Sequence, residues 1–415
     1  MNREYMDLTY ELNRLQWENY TLKRNHDLNR ISKRIHEQIN SAPGDAPFTL
    51  RERIERNPHV SELRNRLDDW DNYAEANDKS RLALARSMRE DVLSLMNVRD
   101  AVARALGFRS YVSAIMHDEG LDEESVRDSL NAYLKESLPR VTRIVIENNI
   151  AWDSWFADLG LLGRGDLGSI DTKGLVSDFV GFLELGSALD DVEVEYGHDI
   201  CFVTKTAFGQ TRVSLANVRS VYGLQQLFHE IGHALFYHCT CQERESDWFH
   251  IHRCVDESVA VLFEWVGFFW MQDEGLAETA EKLALLEYSR TALSGLLELD
   301  LWETKAMPES LYVQYYSRLG VTPGHPELWC VDSFRSIDAV YVFYYTLGHI
   351  FSHRVQNCVA RQECDMSVFR MWLKSLLRSG GRLRYSDMID TLSIFSKSPA
   401  DDRSSSANAL RGSGL

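Results

Sequence analysis

The 415-residue chain contains no run of the roughly 18 to 20 apolar residues that a helix needs to cross a bilayer. Its opening residues, Met1-Asn-Arg-Glu-Tyr-Met-Asp7, carry no apolar stretch of the kind found in a secretory leader. The expectation from both is a cytoplasmic protein with no membrane contact. Positive charge is in short supply: 45 Lys and Arg stand against 62 Asp and Glu, for a net charge of −17. Such a balance argues against nucleic acid and against anionic membrane surfaces as partners, and it leaves basic or neutral substrates open. Cysteine is sparse, and its count of seven is odd, which suits reduced thiols better than a disulfide framework. There is no internal repeat. The glycine-rich stretch 159–168 reads as loops and lacks the G-x-G-x-x-G pattern of a phosphate cradle.

What remains is mostly helical in pattern. Residues 5 to about 40 read as a long charged helix with Leu8, Leu12, Leu15 and Trp17 at near-helical spacing. Pro43, Gly44 and Pro47 break it. Residues 48 to about 106 are helical again, with Gly107 placed as a cap, and further helices begin near Tyr111 and Asp122. Two strand-like runs, 199–205 and 211–217, flank a turn at 208–210 and predict a hairpin. An edge strand such as 211–217 could pair with an extended peptide. Helical pattern then resumes to about Tyr316. A run at 337–349, a helix near Leu373–Leu377 stopped by Gly380 and Gly381, and a short helix at 387–392 complete the body. The Ser/Asp/Ala-rich tail from about residue 398 reads as disordered.

The chemistry gathers at His229-Glu230-Ile231-Gly232-His233. On a helix, positions i and i+4 share a face, so both imidazoles can address one ion. Paired neutral imidazoles suit zinc, and Glu230 stands where a glutamate takes a proton from water in metallopeptidases. Gly232 is costly in mid-helix and leaves room for a backbone or a substrate to come close. A catalytic zinc needs a third protein ligand. Glu257, 24 residues beyond His233 in the next helical run, is assigned to that place, with Asp256 as the rival. Glu264, two turns past Glu257, is assigned as a partner that holds a ligand imidazole, although an ordinary ion pair would suit it as well. Cys239-Thr-Cys241 beside His238 matches no common structural zinc spacing. Tyr341, Tyr344 and Tyr345 fall at i, i+3 and i+4; such hydroxyls can donate to a developing oxyanion, and the same spacing also suits an aromatic core stripe.

Four pieces together resemble the thimet oligopeptidase and oligoendopeptidase F family of zinc metallopeptidases: 227–234, 257–265, the tyrosine-rich run 338–348 and the leucine-glycine-glycine turn at 376–381. Residues 99–111 are similar to an N-terminal helix pair of that family. The resemblance implies a mainly α, two-lobed metallopeptidase body with a central cleft and a small β-sheet beside the zinc helix. It implies one Zn²⁺ per chain, held by His229, His233 and Glu257, and catalysis by Glu230 with a tyrosine from 341, 344 or 345. It also implies hydrolysis of internal bonds in short unstructured peptides. The expected division is a helical lobe at 1–185, a catalytic domain at 186–397 and the tail at 398–415. Two departures stand out. The chain is shorter than typical members, and the histidine that the family carries before its tyrosine helix is missing from 331–336, where Arg335 is the cation present. The alternatives are therefore a peptide-binding or regulatory protein on a peptidase scaffold, and a peptidase dedicated to one precursor peptide.

Overall fold

A computed structural model describes residues 3–22, 24, 26, 28–41, 48–67, 78–163, 167, 170–189, 192–198, 201–241, 245–304, 307–332, 335, 338–360 and 366–396. The first stretch contains α1 (Arg3–Thr21), α2 (Asn29–Ser41), α3 (Leu50–Glu55), α4 (Pro58–Leu67) and α5 (Asp78–Ala105). It continues through α6 (Tyr111–Asp118), α7 (Glu123–Glu147), α8 (Trp155–Leu162) and α9 (Thr172–Phe182). Three strands follow: β1 (Val192–His198), β2 (Phe202–Ala207) and β3 (Gln210–Ala216). After them come α10 (Val221–Cys241), α11 (Glu245–Phe249), α12 (Arg253–Met271), α13 (Glu274–Thr304) and α14 (Pro308–Tyr316). The chain closes with α15 (Phe343–Ala360), α16 (Met366–Ser379) and α17 (Tyr385–Thr391). The molecule is a helical body with one small sheet, as expected. No helix among the described residues is long and apolar enough to cross a membrane.

Local chemistry sets many of the boundaries. Gly107, at φ +92°, ends α5: its N–H donates to Arg104 O, and that of Phe108 donates to Ala103 O, the paired bonds of a left-handed C-terminal cap. Asp122 starts α7 by accepting from the N–H of Ser125. Other expectations need correction. The first long helix is two, because the chain turns between Thr21 and Asn29; the amphipathic faces of α1 and α2 then bury each other in a small core with Phe48 and Trp248. Leu159–Leu162 belong to α8 instead of a loop. The proline-glycine break at 42–47 and the tail from 398 lie outside the described residues.

The sheet departs most. Its order is β1-β3-β2, with β2 antiparallel and β1 parallel to β3. β3 is thus the central strand, with both edges already paired, and it cannot take a substrate strand as expected of 211–217. The hairpin of β2 and β3 folds back so that β3 slots beside β1.

The main core is continuous from Ile54 to Phe395, and α12 runs through its middle. On one side α12 meets α10, which also carries β3; on the other it meets α15. Two glycines permit the close approach. A Cβ at Gly232 of α10 would stand 2.9 Å from both Ala260 Cα and Phe263 Cβ. One at Gly348 of α15 would stand 2.9 Å from Ser258 Cα and 3.2 Å from Glu257 O. Real Cβ atoms do not come so near to backbone, so one side or the other must shift. Gly232→Ala and Gly348→Ala should each lower stability by about 1 to 3 kcal/mol, the usual cost of overpacking. Urea unfolding checks this; unchanged midpoints would show that the helices are not pinned at these contacts.

Candidate active site

The metal-motif helix presents a polar ladder. Gln225, His229, His233 and Tyr237 follow at intervals of four residues, on one face of the helix. Opposite, α12 presents Asp256, Glu257 and Glu264. His229 Nε2 and His233 Nε2 lie 3.2 Å apart. Glu257 Oε2 lies 3.3 Å from the first and 3.8 Å from the second, and it finds no hydrogen bond although it is buried. These three residues form a group that could hold a metal ion.

The outer nitrogens are fixed. His229 Nδ1 lies 2.8 Å from Glu264 Oε1, and His233 Nδ1 lies 2.7 Å from Asp256 Oδ1. A carboxylate at Nδ1 places the proton there and leaves the lone pair at Nε2. Asp256 is therefore turned away from the ligand position considered for it. Neighbouring residues on a helix point about 100° apart, so Glu257 and Asp256 cannot both face one spot. Each carboxylate is anchored in turn. Tyr237 donates to Asp256 Oδ2 at 2.6 Å; Gln225 Nε2 and Tyr288 each donate to Glu264 Oε2, both at 2.6 Å. Tyr341 donates to Glu257 Oε1, the oxygen turned away from the imidazoles.

The sequence reading missed Asp256 as the partner of His233, together with Tyr237, Gln225 and Tyr288. The four-residue spacing on α10 was the available signal for two of these.

Glu230 is half-buried and accepts no hydrogen bond from the described residues. Burial pushes its carboxyl above the usual range, while His229 and His233 pull it down. A dication at the triad would add to that downward pull. Burial would lower both imidazoles, but Glu257 and Glu264 around His229 and Asp256 beside His233 more than offset it and raise them.

The tyrosines divide. Tyr341 precedes α15 instead of lying within it, because Val340 adopts φ +58° and donates its N–H to Glu298 Oε1 at 2.9 Å. The helix expected from 338 starts at Phe343. Tyr345 faces the site, its ring 6.1 Å from that of His229 and its hydroxyl near Tyr341, Glu257 and Glu230. Tyr344 is fully buried behind them, with its hydroxyl near Glu119 and Arg51. Arg335 is not at the site. It is buried and donates to Trp329 O, Ser294 Oγ and Tyr316 Oη and pairs with Asp332. Among the described residues no second metal-ligating group forms near Cys239.

Neither the family models nor the curated proteins contain a match to this sequence. Solved structures do match. The M32 carboxypeptidase from Deinococcus radiodurans R1 is 13% identical with a TM-score of 0.64, over 94% of this chain and 93% of its own. A Bacillus anthracis protein assigned as oligoendopeptidase F is 14% identical with a TM-score of 0.60, over 88% and 79%. PZ peptidase A, solved with an inhibitor, is 15% identical with a TM-score of 0.64, over 91% and 82%. The chain shares the fold of these peptidase structures. At this identity the likeness speaks to fold, and the donor geometry above is what speaks to chemistry.

Two tests follow from that geometry. Asp256→Asn and Glu264→Gln should each weaken zinc binding about 10- to 100-fold, the usual effect of losing a carboxylate behind a ligating histidine. Chelator competition measures it, and unchanged affinity would remove both residues from the site. Both imidazoles are raised, so the metal-free site holds protons near neutral pH that a metal must displace. Zinc affinity should therefore rise with pH. Calorimetry in two buffers of different ionisation enthalpy should show proton release; zero release would contradict the assignment.

Proposed function

We propose that the protein is a zinc metallopeptidase that cleaves internal bonds of short unstructured peptides. One observation carries the reading: three lone-pair atoms converge, with each imidazole locked from behind by a carboxylate and Glu230 beside them. The donor set of two nitrogens and one oxygen suits zinc with a position left open. Bound there, zinc supplies a Lewis acid that brings the acidity of water toward neutral pH and polarises a carbonyl.

The chain's own residues do the rest. Glu230 takes a proton from the attacking water and delivers it to the leaving amine as the C–N bond breaks. Tyr345 donates to the oxygen that gains charge, since Tyr341 is engaged in holding Glu257. His233 and Glu257 are buried, so a bond must be carried into the body to be cut, which favours extended chains over folded domains. The division into lobes at 1–185 and 186–397 belongs to the same proposal.

Glu230→Gln should keep zinc and lose turnover by at least about 100-fold. Wild-type rates in that variant would sink the mechanism. A mixed peptide pool read by mass spectrometry, with and without chelator, separates a peptidase from a binding protein on a peptidase scaffold. One product set from one peptide would instead indicate a dedicated substrate.

A second reading, carboxypeptidase action, is favoured by the fold likeness to carboxypeptidases from D. radiodurans and Pyrococcus furiosus. Against it, Arg335 is committed in the core and Arg212 pairs with Glu193 at 2.7 Å, so neither offers an open cation for a terminal carboxylate. Peptides with amidated C-termini decide between the two. Internal cleavage should be indifferent to amidation, whereas a carboxypeptidase should lose most of its activity.

A further inference from the structure

Arg253 opens α12 one turn before Glu257, and positions i and i+4 share a face of the helix. The other charged residues of that helix are all acidic: Asp256, Glu257 and Glu264. The Arg253 guanidinium stands 5.6 Å from the centre of the Tyr341 ring, and the hydroxyl of that tyrosine holds Glu257. Tyr345, whose ring faces His229, lies 5.7 Å from the Tyr341 ring. A continuous line of side chains thus joins Arg253 to the metal-ligand triad.

The guanidinium is oriented, but one edge of it is left open. Among the described residues Asp338 is its hydrogen-bonding partner and takes Nη1 alone, at 2.9 Å. Nε and Nη2 find no acceptor among them, and the side chain is 41% exposed. These two nitrogens form the edge of the planar fork that grips a carboxylate through paired bonds. Asp338 does not belong to Arg253 alone. Burial would raise its carboxyl, but Arg253, Arg64 and Arg51 together hold it well below the ordinary carboxylate range. The start of the helix offers an anion no rival attraction here, because Glu119 accepts from the Cys254 N–H at 3.2 Å.

Spacing sets where a ligand of Arg253 would lie along a substrate. Four residues of helix rise about 6 Å, and an extended peptide advances about 3.3 to 3.6 Å per residue. A carboxylate on Arg253 therefore falls within about two residues of a bond placed at the triad. The net charge of −17 opposes acidic peptides as a class, so one fixed guanidinium confines any acidic preference to one place.

We propose that Arg253 is a substrate-binding residue that receives a peptide carboxylate close to the cut bond, from an acidic side chain or from a free C-terminus. The position of the cut rests on the peptidase reading; the binding of the carboxylate does not.

The probes are neutral peptides, acetylated and amidated, in which one Glu or one Gln is walked along the chain. With the full-length, zinc-loaded protein, mass spectrometry should show the cut moving with Glu at one fixed spacing, and no such movement with Gln. Calorimetry on the zinc-loaded Glu230→Gln protein should show the Glu peptides bound about two- to fivefold more tightly, the size of a partly exposed charge pair. Adding Arg253→Gln should bring that ratio to about one, and Arg253→Glu should invert it in favour of Lys. Raising salt from about 0.05 to about 0.5 M should pull the ratio toward one without any change at Arg253. A fourth series compares free and amidated C-termini on the neutral peptide. If the free terminus alone is favoured, and only while Arg253 is present, Arg253 stands as the anchor and the internal-bond reading falls. Indifference to both carboxylates, or a preference that survives Arg253→Gln, would overturn the proposal. If nothing is cut while the binding preference still depends on Arg253, the peptidase reading fails and the subsite stands.

Discussion

The structure depends on a repulsion that has been arranged deliberately close. His229 Nε2, His233 Nε2 and Glu257 Oε2 point lone pairs at one buried spot, with the two nitrogens 3.2 Å apart. Three acceptors in a low-dielectric place are unfavourable unless a proton or a cation stands among them. Everything around the triad opposes its relaxation. Each imidazole is held at Nδ1, Glu257 is held at Oε1 by Tyr341, and the two helices that carry the triad are pressed together at Gly232. The tyrosine helix is pressed against the far side of α12 at Gly348. Softer packing at either glycine would let α12 move away and relieve the repulsion without a metal.

This explains which parts of the site were legible in the sequence. The convergence of the two imidazoles was legible because one helix repeats every 3.6 residues, which places His229 beside His233 wherever the helix sits. Glu257 followed from the need for a third donor and from the length of chain required to return. Asp256 was not legible as a partner of His233, because that depends on the rotation of α12 about its own axis, which distant packing sets. Gln225 and Tyr237 were half-legible: their spacing marks them as sharing the histidine face, but periodicity alone does not tell a hydrogen-bond partner from a cleft wall.

The fold shows the same division between local and distant causes. Helix ends governed by a glycine or an aspartate, such as Gly107 and Asp122, could be read from the residues themselves. The hairpin of β2 and β3 could be read from its turn. The central position of β3 could not, because β1 pairs with it in parallel from beyond β2. The delayed start of α15 has a similar cause. Val340 is drawn into a left-handed conformation with its N–H on Glu298, and Arg51 donates to the carbonyls of Ala339 and Val340. A β-branched residue at positive φ persists only where surrounding contacts demand it. Those contacts come from α3 and α13, far away in sequence. Their effect is to release Tyr341 from the helical register so that its hydroxyl reaches Glu257.

The two histidines, equivalent in the motif, are therefore unequal in the molecule. The carboxylate behind His233 belongs to a network with Tyr237, over whose ring Lys205 Nζ stands at 4.2 Å while donating to Trp248 O. Burial lowers that lysine to about 8, with Asp256 opposing the shift, so its charge and the aspartate's are bound together. Lys205 lies on β2, where Asn13 of α1 donates to its carbonyl, and Trp248 belongs to the small core that α1 and α2 complete. The grip on His233 thus draws on the N-terminal helices and the sheet. The grip on His229 draws on α13 through Tyr288. An ion at the triad would sit where these two supports meet, and a disturbance in either would reach it through a different imidazole.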